Sequence, residues 1–244
     1  MKDKYVLITG SSSGIGYEIT SKLLALGAKV IGIARNHDKS NLENKNYTTY
    51  NCDVSVHEKL EILIKQILKN HPQINCLISN AGYGNFGPLE NFSTLQINNF
   101  LATNLIAHLI ITKLLLPHFK RNKMGDIIFI GSEAGLSGAK NGSLYCAAKF
   151  GLRGFSEALR NDVANKHIRV SIINPGMVRT GFFENLNFEP GDSEENAISL
   201  RDVSSTVAYI LGLSRNTIVD EINLSPSKKA IKFVAKKLLI CDVE

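Results

Sequence analysis

Short apolar segments alternate with amphipathic helical segments along nearly the whole chain. Seven apolar segments have the length expected of buried strands: KYVLITG, AKVIGIAR, NYTTYNCDV, INCLISNAG, GDIIFIGS, IRVSIINPG and TIVDEINLS. Between them, segments such as YEITSKLLALG and VHEKLEILIKQILKN repeat apolar residues at helical spacing. Strands that alternate with helices predict a parallel sheet with right-handed crossovers and helices on both faces. We therefore predict an α/β fold with one doubly wound parallel sheet.

The length of 244 residues fits one α/β domain. We assign residues 1–226 to this domain and residues 227–244 to a basic C-terminal tail. Ligands of doubly wound sheets bind beyond the carboxyl ends of the strands. The candidate binding residues at these ends are Gly10, Arg35, Asp53, Asn80, Ser132 and Pro175.

Composition excludes several classes of protein. The N-terminal MKDKYVLITG lacks the long apolar region of a secretory signal. The most apolar segment, NLIAHLIITKLLLPHF, contains His108, Lys113 and Pro117 and is expected to be too short and interrupted to span a bilayer. No CxxC pair or His/Cys cluster indicates a metal site. We expect a cytoplasmic protein with reduced thiols at Cys52, Cys76, Cys146 and Cys241.

The net charge of +6 is unevenly distributed. Five lysines and two acidic residues lie from Ser227 onward, so the tail carries half of the excess. The remainder has no basic patch interleaved with aromatic residues, which argues against nucleic acid binding. In KKAIKFVAKKLLI an apolar stripe of Ile231, Val234, Ala235 and Leu238 predicts an amphipathic helix. This helix either makes weak contact with an anionic membrane or docks on the protein itself or a partner subunit.

TGSSSGIG, from Thr9 to Gly16, follows a predicted strand and opens a predicted helix. The positive end of such a helix and its free N–H groups can hold a pyrophosphate. Gly10 allows the tight turn, Gly14 lets the backbone approach the phosphates, and Gly16 allows close helix packing. The loop residues Ser12, Ser13 and Ile15 complete the candidate site. The alternative is a strand-to-helix turn that binds nothing.

Other strand ends carry further candidates for a dinucleotide. Ala34 and Arg35 stand where an acidic residue would bind the ribose of NAD, and a guanidinium there favours the 2'-phosphate of NADP. Arg35 is otherwise a solvated arginine, with Asp38 as the ribose ligand. Asp53 and Val54 follow the third strand, where the carboxylate can accept from adenine. The remaining candidates, at the fourth strand end, are Asn80, Ala81 and Gly82. All of these are also common in turns and helix caps.

Tyr145 and Lys149 lie four residues apart and project from one face of a predicted helix. Bringing a phenol pKa of about 10 to near neutrality requires about 4 kcal/mol. One ammonium about 4 Å away at an effective dielectric of about 20 supplies about that amount. We therefore predict that Lys149 lowers the pKa of Tyr145. The alternative is a tyrosine that serves only in packing.

Together with GSEAG, YCAAK and NPG, these stretches resemble the short-chain dehydrogenase/reductase family over nearly the whole chain. Ser132 precedes Tyr145 by 13 residues and Lys149 follows it by four, which are the spacings of that family. The resemblance implies a Rossmann-type sheet and an oxidoreductase that interconverts a carbonyl and a secondary alcohol. It also implies a nicotinamide cofactor, and Arg35 favours NADP(H) over NAD(H).

The resemblance implies a role for each matching residue. Tyr145 would exchange the proton, Ser132 would hold the substrate oxygen, and Lys149 would also bind the nicotinamide ribose. Asn104 would hold a water that links Lys149 to solvent. Ser132 as a cap and Asn104 as a kink residue remain open alternatives. The residues expected to line the nicotinamide are Pro175, Gly176, Val178 and Thr180. Residues 181–200 would form a substrate lid, and the further substrate contacts would be Tyr83, Met177, Phe182 and Phe183.

The substrate and assembly are less constrained. A 3-oxoacyl thioester, a sugar-derived ketone, a hydroxy acid or a steroid-like ketone is compatible with the reacting groups. A regulator that binds NADP without turnover is the alternative function, since a fold does not prove an activity. The helix from about Leu101 to Lys120 is apolar on nearly every face, which predicts a homodimer or homotetramer.

Overall fold

The computed structural model describes residues 1–38 and 40–234, and within them seven parallel strands form one sheet. The sheet order is β3-β2-β1-β4-β5-β6-β8. These strands are β1 (Tyr5–Thr9), β2 (Lys29–Ala34), β3 (Tyr47–Asn51), β4 (Cys76–Ser79), β5 (Gly125–Ile130), β6 (Ile168–Pro175) and β8 (Glu221–Leu224). The predicted fold class is confirmed. The order reverses between β1 and β4, and a ligand crevice is expected at such a switch point.

Helices cover both faces of the sheet. The helices are α1 (Gly14–Ala25), α2 (His57–Asn70), α3 (Thr94–Leu101), α4 (Ala107–Asn122), α5 (Ser143–Val163) and α6 (Leu200–Gly212). One apolar core joins the sheet to α2, α4 and α5, and a second joins it to α1 and α6. Burial on two faces explains why every residue of the central strand β5 is buried and why, apart from Asp126, its residues are apolar or glycine rather than alternating with polar ones.

The segment Thr94–Asn122 forms a continuous helical stretch of 29 residues, and an 18-residue part of it has a mean hydropathy of 1.6. A π-helical turn at Ala102–Ile106 joins α3 to α4. By length and composition the stretch is sufficient to span a membrane, so the expectation that it is too short is wrong. Its apolarity has a local explanation, because Ile111, Leu115 and Phe119 are fully packed in the core against the sheet.

The start of the C-terminal tail forms a strand where the sequence predicts a helix. β9 (Ile231–Phe233) pairs antiparallel with β7 (Phe188–Pro190). Lys232 reaches Asp192 at 2.7 Å, and Lys229 reaches Glu133 at 2.8 Å. The helix prediction is therefore wrong for Ile231–Phe233, since cross-strand hydrogen bonds replace the helical pattern. Ala235, Leu238 and Cys241 lie outside the described residues.

Asp126 on β5 is the centre of a buried ion cluster. Its carboxylate lies 2.6 Å from Lys4, 2.7 Å from Arg169 and 2.6 Å from Arg215. The side chain is only 3% exposed. Burial alone would raise the pKa of Asp126, but hydrogen bonds and attraction from these cations lower it below the usual value. The cluster ties the chain start, β5, β6 and the segment after α6 together.

Candidate active site

The glycine turn lies at the switch point and is fastened to the end of β4. Thr9 Oγ1 accepts hydrogen bonds from the backbone N–H groups of Asn80 and Ala81, both at 3.0 Å. The Asn80 amide donates back to the carbonyl of Thr9 at 2.9 Å. Asn80 therefore supports the turn directly, a role that the strand-end position alone does not reveal.

Three glycines shape this turn for different reasons. Gly10 and Gly14 have φ of +71° and +54°, in the left-handed region that favours glycine. A Cβ on Gly16 would lie 2.1 Å from the carbonyl oxygen of Gly10. The α1 N-terminus has no side-chain cap from Ser13, so the first N–H groups of the helix suit an anion. These features fit a dinucleotide pyrophosphate.

Arg35 lies at the end of the crevice where the sequence predicts the adenosine part of the cofactor. This exposed side chain borders a cavity of about 300 Å³, together with Asn51, Cys52, Asp53, Val56, Lys59 and Leu63. Burial alone would raise the pKa of Asp53, but hydrogen bonds from Ser55 and the charge of Arg35 lower it. Asp53 is thus an anion held by Ser55, while Val54 is buried in the core. Gly82 lies against Asn104.

His37 is a candidate cofactor contact that the sequence analysis missed. Its Nε2 is 2.9 Å from Ser11 Oγ in the glycine turn, and its Nδ1 is 2.8 Å from Asn51 Oδ1 at the end of β3. The ring thereby links the turn to two strand ends beside Arg35. The position of His37, two residues after Arg35, could have marked it as a candidate from the sequence. Its contacts with Ser11 and Asn51 can be recognised only in the folded structure.

Ser132, Tyr145 and Lys149 come together at the carboxyl ends of β5 and β6. The side chain of Ser132 interacts with the Tyr145 hydroxyl, and its Oγ accepts a hydrogen bond from the N–H of Ala134 at 3.2 Å. Lys149 Nζ lies 5.8 Å from the centre of the Tyr145 ring and donates to the carbonyl of Ile130 at 3.1 Å. All three side chains are buried.

The pKa of Tyr145 does not move in the predicted direction. Burial raises it to about 12, although the interaction with the Ser132 side chain opposes this increase. Burial also lowers the pKa of Lys149 to about 8. The prediction that Lys149 lowers the tyrosine pKa is wrong for this arrangement, because the ammonium points to Ile130 rather than to the hydroxyl.

Asn104 lies in the π-helical turn and is fully buried. Its Oδ1 accepts from the N–H of Tyr83 at 3.1 Å, and its Nδ2 donates to the carbonyl of Phe100 at 3.1 Å. One turn along the helix, buried His108 is hydrogen-bonded to Ser79 at 2.6 Å. The Asn104 side chain thus positions the loop after β4, and its expected role in holding a water stays a prediction.

The segment after β6 faces the glycine turn. A Cβ on Gly14 would lie 3.5 Å from the side chain of Thr180, so the segment after β6 lies close to the glycine turn. Thr180 Oγ1 accepts from the N–H of Phe182 at 3.1 Å. Val178 is buried and forms a bridge to Ile198, and Met177 accepts from the N–H of Ile198 at 2.8 Å. Pro175 and Gly176 close the end of β6.

Aromatic side chains surround Tyr145. Phe86 and Phe182 contact its ring, with centroids 5.1 Å and 5.9 Å away. Phe183 and Phe188 continue the contacts beyond them. Tyr83 is 41% exposed and packs instead on Phe100. Phe86 and Phe188 were missed by the sequence analysis, because only the fold brings their segments to the tyrosine.

Comparisons with known proteins agree with this geometry. The family model described as short chain dehydrogenase matches residues 4–190. The 3-oxoacyl-[acyl-carrier-protein] reductase of Bos taurus is 30% identical over 191 residues, covering 77% of this chain and 81% of that protein. The 3-ketodihydrosphingosine reductase of Bacteroides thetaiotaomicron is 31% identical over 201 residues, covering 82% and 74%.

Solved structures give the same likeness. A metagenomic short-chain oxidoreductase in complex with NADP is 27% identical, with a TM-score of 0.79, and the match covers 93% of this chain and 99% of that one. Its fold therefore extends over nearly the whole chain. Among the described residues, no group of three or more His, Cys, Asp or Glu side chains is arranged to hold a metal ion.

Proposed function

Because this chain belongs to the short-chain dehydrogenase family, we propose that it reduces a carbonyl to a secondary alcohol with NADPH. Membership makes it an NAD(P)-dependent oxidoreductase, and the specific reaction is our proposal. The observation that supports it most strongly is that the buried side chains of Ser132, Tyr145 and Lys149 lie together, with Lys149 Nζ 5.8 Å from the centre of the Tyr145 ring. These groups lie at the same edge of the sheet as the glycine turn.

The proposed mechanism assigns one task to each side chain. When bound, the cofactor would supply a hydride to the carbonyl carbon and leave in its oxidised form. Tyr145 would donate its proton to the carbonyl oxygen, completing the conversion of C=O to CH–OH, and Ser132 would hold that oxygen. Lys149, whose ammonium is held by the carbonyl of Ile130, would bind the ribose of the nicotinamide. A Tyr145 pKa raised to about 12 keeps the phenol protonated at neutral pH, and the protonated phenol is the form that can donate a proton to the carbonyl oxygen.

We propose Arg35 as the determinant of NADP preference. Arg35→Ala should raise the Kd for NADPH about tenfold and leave that for NADH nearly unchanged, because a charge-assisted hydrogen bond to the 2'-phosphate is lost. Fluorescence titration with both cofactors measures this difference. Arg121→Ala, at an exposed arginine at the end of α4, is the matched control. An equal loss for NADPH and NADH would contradict the assignment.

Gly16 is proposed to fix the turn that binds the pyrophosphate. Gly16→Ala should raise the Kd for NADPH at least about tenfold, since its Cβ would displace the Gly10 carbonyl at a cost of about 1–3 kcal/mol. Gly154→Ala is the control, because a Cβ there meets nothing within 4 Å. Isothermal titration of both variants gives the comparison. Equal affinities would show that the turn does not bind the cofactor.

A carbonyl panel tests the proposed function itself. NADPH or NADH oxidation is followed with wild type, and Tyr145→Phe serves as the blank. The relation to the Bos taurus 3-oxoacyl-[acyl-carrier-protein] reductase makes a 3-oxoacyl thioester the second candidate substrate, so acetoacetyl thioesters belong in the panel. A wild type that binds NADPH and reduces no carbonyl would instead indicate a regulator without turnover.

A further inference from the structure

Five aromatic side chains, Tyr145, Phe86, Phe188, Phe183 and Phe182, form a closed circuit of ring contacts, which we call the aromatic collar. Successive centroids are 5.1 Å, 5.0 Å, 5.9 Å, 5.1 Å and 5.9 Å apart, returning to Tyr145. Four of the five contacts are edge-on and one is tilted, which are favourable geometries for aromatic pairs. The proton-donating phenol is thus itself one member of the collar.

Three separate parts of the chain build the collar and hold it closed. Phe86 lies in the loop after β4, Tyr145 lies on α5, and the other three lie between β6 and α6. Phe182 packs directly on the backbone of Gly84, where an added Cβ would be 2.5 Å from its ring. The pairing of β7 with β9 secures the Phe188 end.

The charges beside the collar also restrict what fits there. Glu133 directly follows Ser132, and its negative charge acts on the Tyr145 hydroxyl. Glu133 is paired with Lys229 at 2.8 Å. Lys149 already donates to the carbonyl of Ile130. A carboxylate next to the reacting carbonyl would therefore find Lys229 already paired with Glu133 and Lys149 already bound to the carbonyl of Ile130. Burying that carboxylate among apolar rings would be unfavourable.

We propose that the substrates are uncharged ketones or aldehydes with an aryl or extended alkyl group on the carbonyl carbon. This inference rests on the proposed function and narrows it. A carbonyl oxygen placed at Tyr145 and Ser132 would bring its substituent against Phe86 and Phe182, whose rings contact that of Tyr145. An aryl or alkyl group replaces the ring contacts that it displaces, whereas a hydroxyl or carboxylate loses its water without gaining a partner.

Matched substrates test the class. We expect kcat/KM for acetophenone to be at least about tenfold higher than kcat/KM for hydroxyacetone. It should exceed kcat/KM for phenylglyoxylate, in which a carboxylate replaces the methyl group of acetophenone, by at least about the same factor. Preference for either polar compound would overturn the substrate class while leaving carbonyl reduction intact. Oxidation of NADPH by none of the three or by the wider panel would instead overturn the proposed function.

Variants of the collar connect this preference to the rings. Phe86→Leu and Phe182→Leu should each lower kcat/KM for acetophenone about fivefold or more, with a change below about twofold for hydroxyacetone. Phe233→Leu is the control, since this side chain is 78% exposed and lies outside the collar. Equal losses for both substrates would contradict recognition by the rings.

A binding measurement keeps the inference testable without turnover. In Tyr145→Phe saturated with NADPH, acetophenone should bind at least about tenfold more tightly than hydroxyacetone, as measured by ligand-observed NMR. Phenylalanine preserves the ring of the collar, so the preference should survive the loss of the hydroxyl. Equal or reversed affinities would overturn the inference whatever the activity of the wild type.

Discussion

Replacing Tyr145 by phenylalanine will lower kcat/KM for carbonyl reduction about 1,000-fold, because a positioned proton donor contributes about 100-fold to 10,000-fold. The ring contacts with Phe86 and Phe182 do not need the hydroxyl, so the fold and the NADPH site should persist. The Kd for NADPH should therefore stay within about threefold of the wild-type value, since no contact proposed for the phosphates is removed.

Steady-state kinetics and fluorescence titration on the same preparation separate these two effects. Tyr209→Phe is a suitable control, because Tyr209 lies on α6 and is 58% exposed. Its kinetics should match those of wild type. Retention of more than a tenth of wild-type activity by Tyr145→Phe would refute its role as the proton donor.

Asp126→Asn should lower the free energy of unfolding by about 3–5 kcal/mol, because it leaves buried cations without their anion. Arg169, with 6% of its side chain exposed, would be affected most. Asn fills the same volume, so the loss reports charge rather than a cavity. Urea unfolding followed by circular dichroism measures the change.

The Asp126 carboxylate should also make the free energy of unfolding depend on pH. The pKa of Asp126 is lower in the folded protein than its unfolded value, so its stabilisation is fully present above the unfolded pKa, about 3.9. It is lost as pH falls through the folded value. Asp220→Asn is the control, since that side chain is 63% exposed in its pair with Arg160. If Asp126→Asn and Asp220→Asn lowered the free energy of unfolding equally, the buried cluster would have no special role in stability.

The sheet was predictable because its signal is local. The central strands are short and mostly apolar, because burial on both faces removes the alternation of apolar and polar residues. The glycine turn was predictable for the same reason, since Gly10 and Gly14 need left-handed backbone whatever surrounds them. α6 also carried a signal, with Val203, Val207 and Ile210 at helical spacing after the cap at Ser199, but the sequence analysis did not use it.

Contacts between distant segments were not predictable. β7 and β9 have three residues each, and their pairing joins residues far apart in the chain, such as Glu189 and Lys232, which are 43 positions apart. A stretch as short as Ile231–Phe233 fits helix or strand equally until its partner is known.

The reacting centre shows the same limit at the scale of one side chain. The four-residue spacing correctly places Tyr145 and Lys149 on one helix. It does not specify where the lysine ammonium ends, and the carbonyl of Ile130 holds it at 3.1 Å. The predicted direction of the tyrosine pKa depended on that unknown distance, and burial by Phe86 and Phe182 could not be read from spacing alone.

Transfer of deuterium tests the central claim most directly. Wild-type protein is supplied with NADPH doubly deuterated at C4 of the nicotinamide and with the best carbonyl of the panel. We predict an alcohol that carries one deuterium on the former carbonyl carbon, detected by mass spectrometry, and at most a trace of it with Tyr145→Phe. Formation of unlabelled alcohol, or of no alcohol from any carbonyl while NADPH remains bound, would contradict the account.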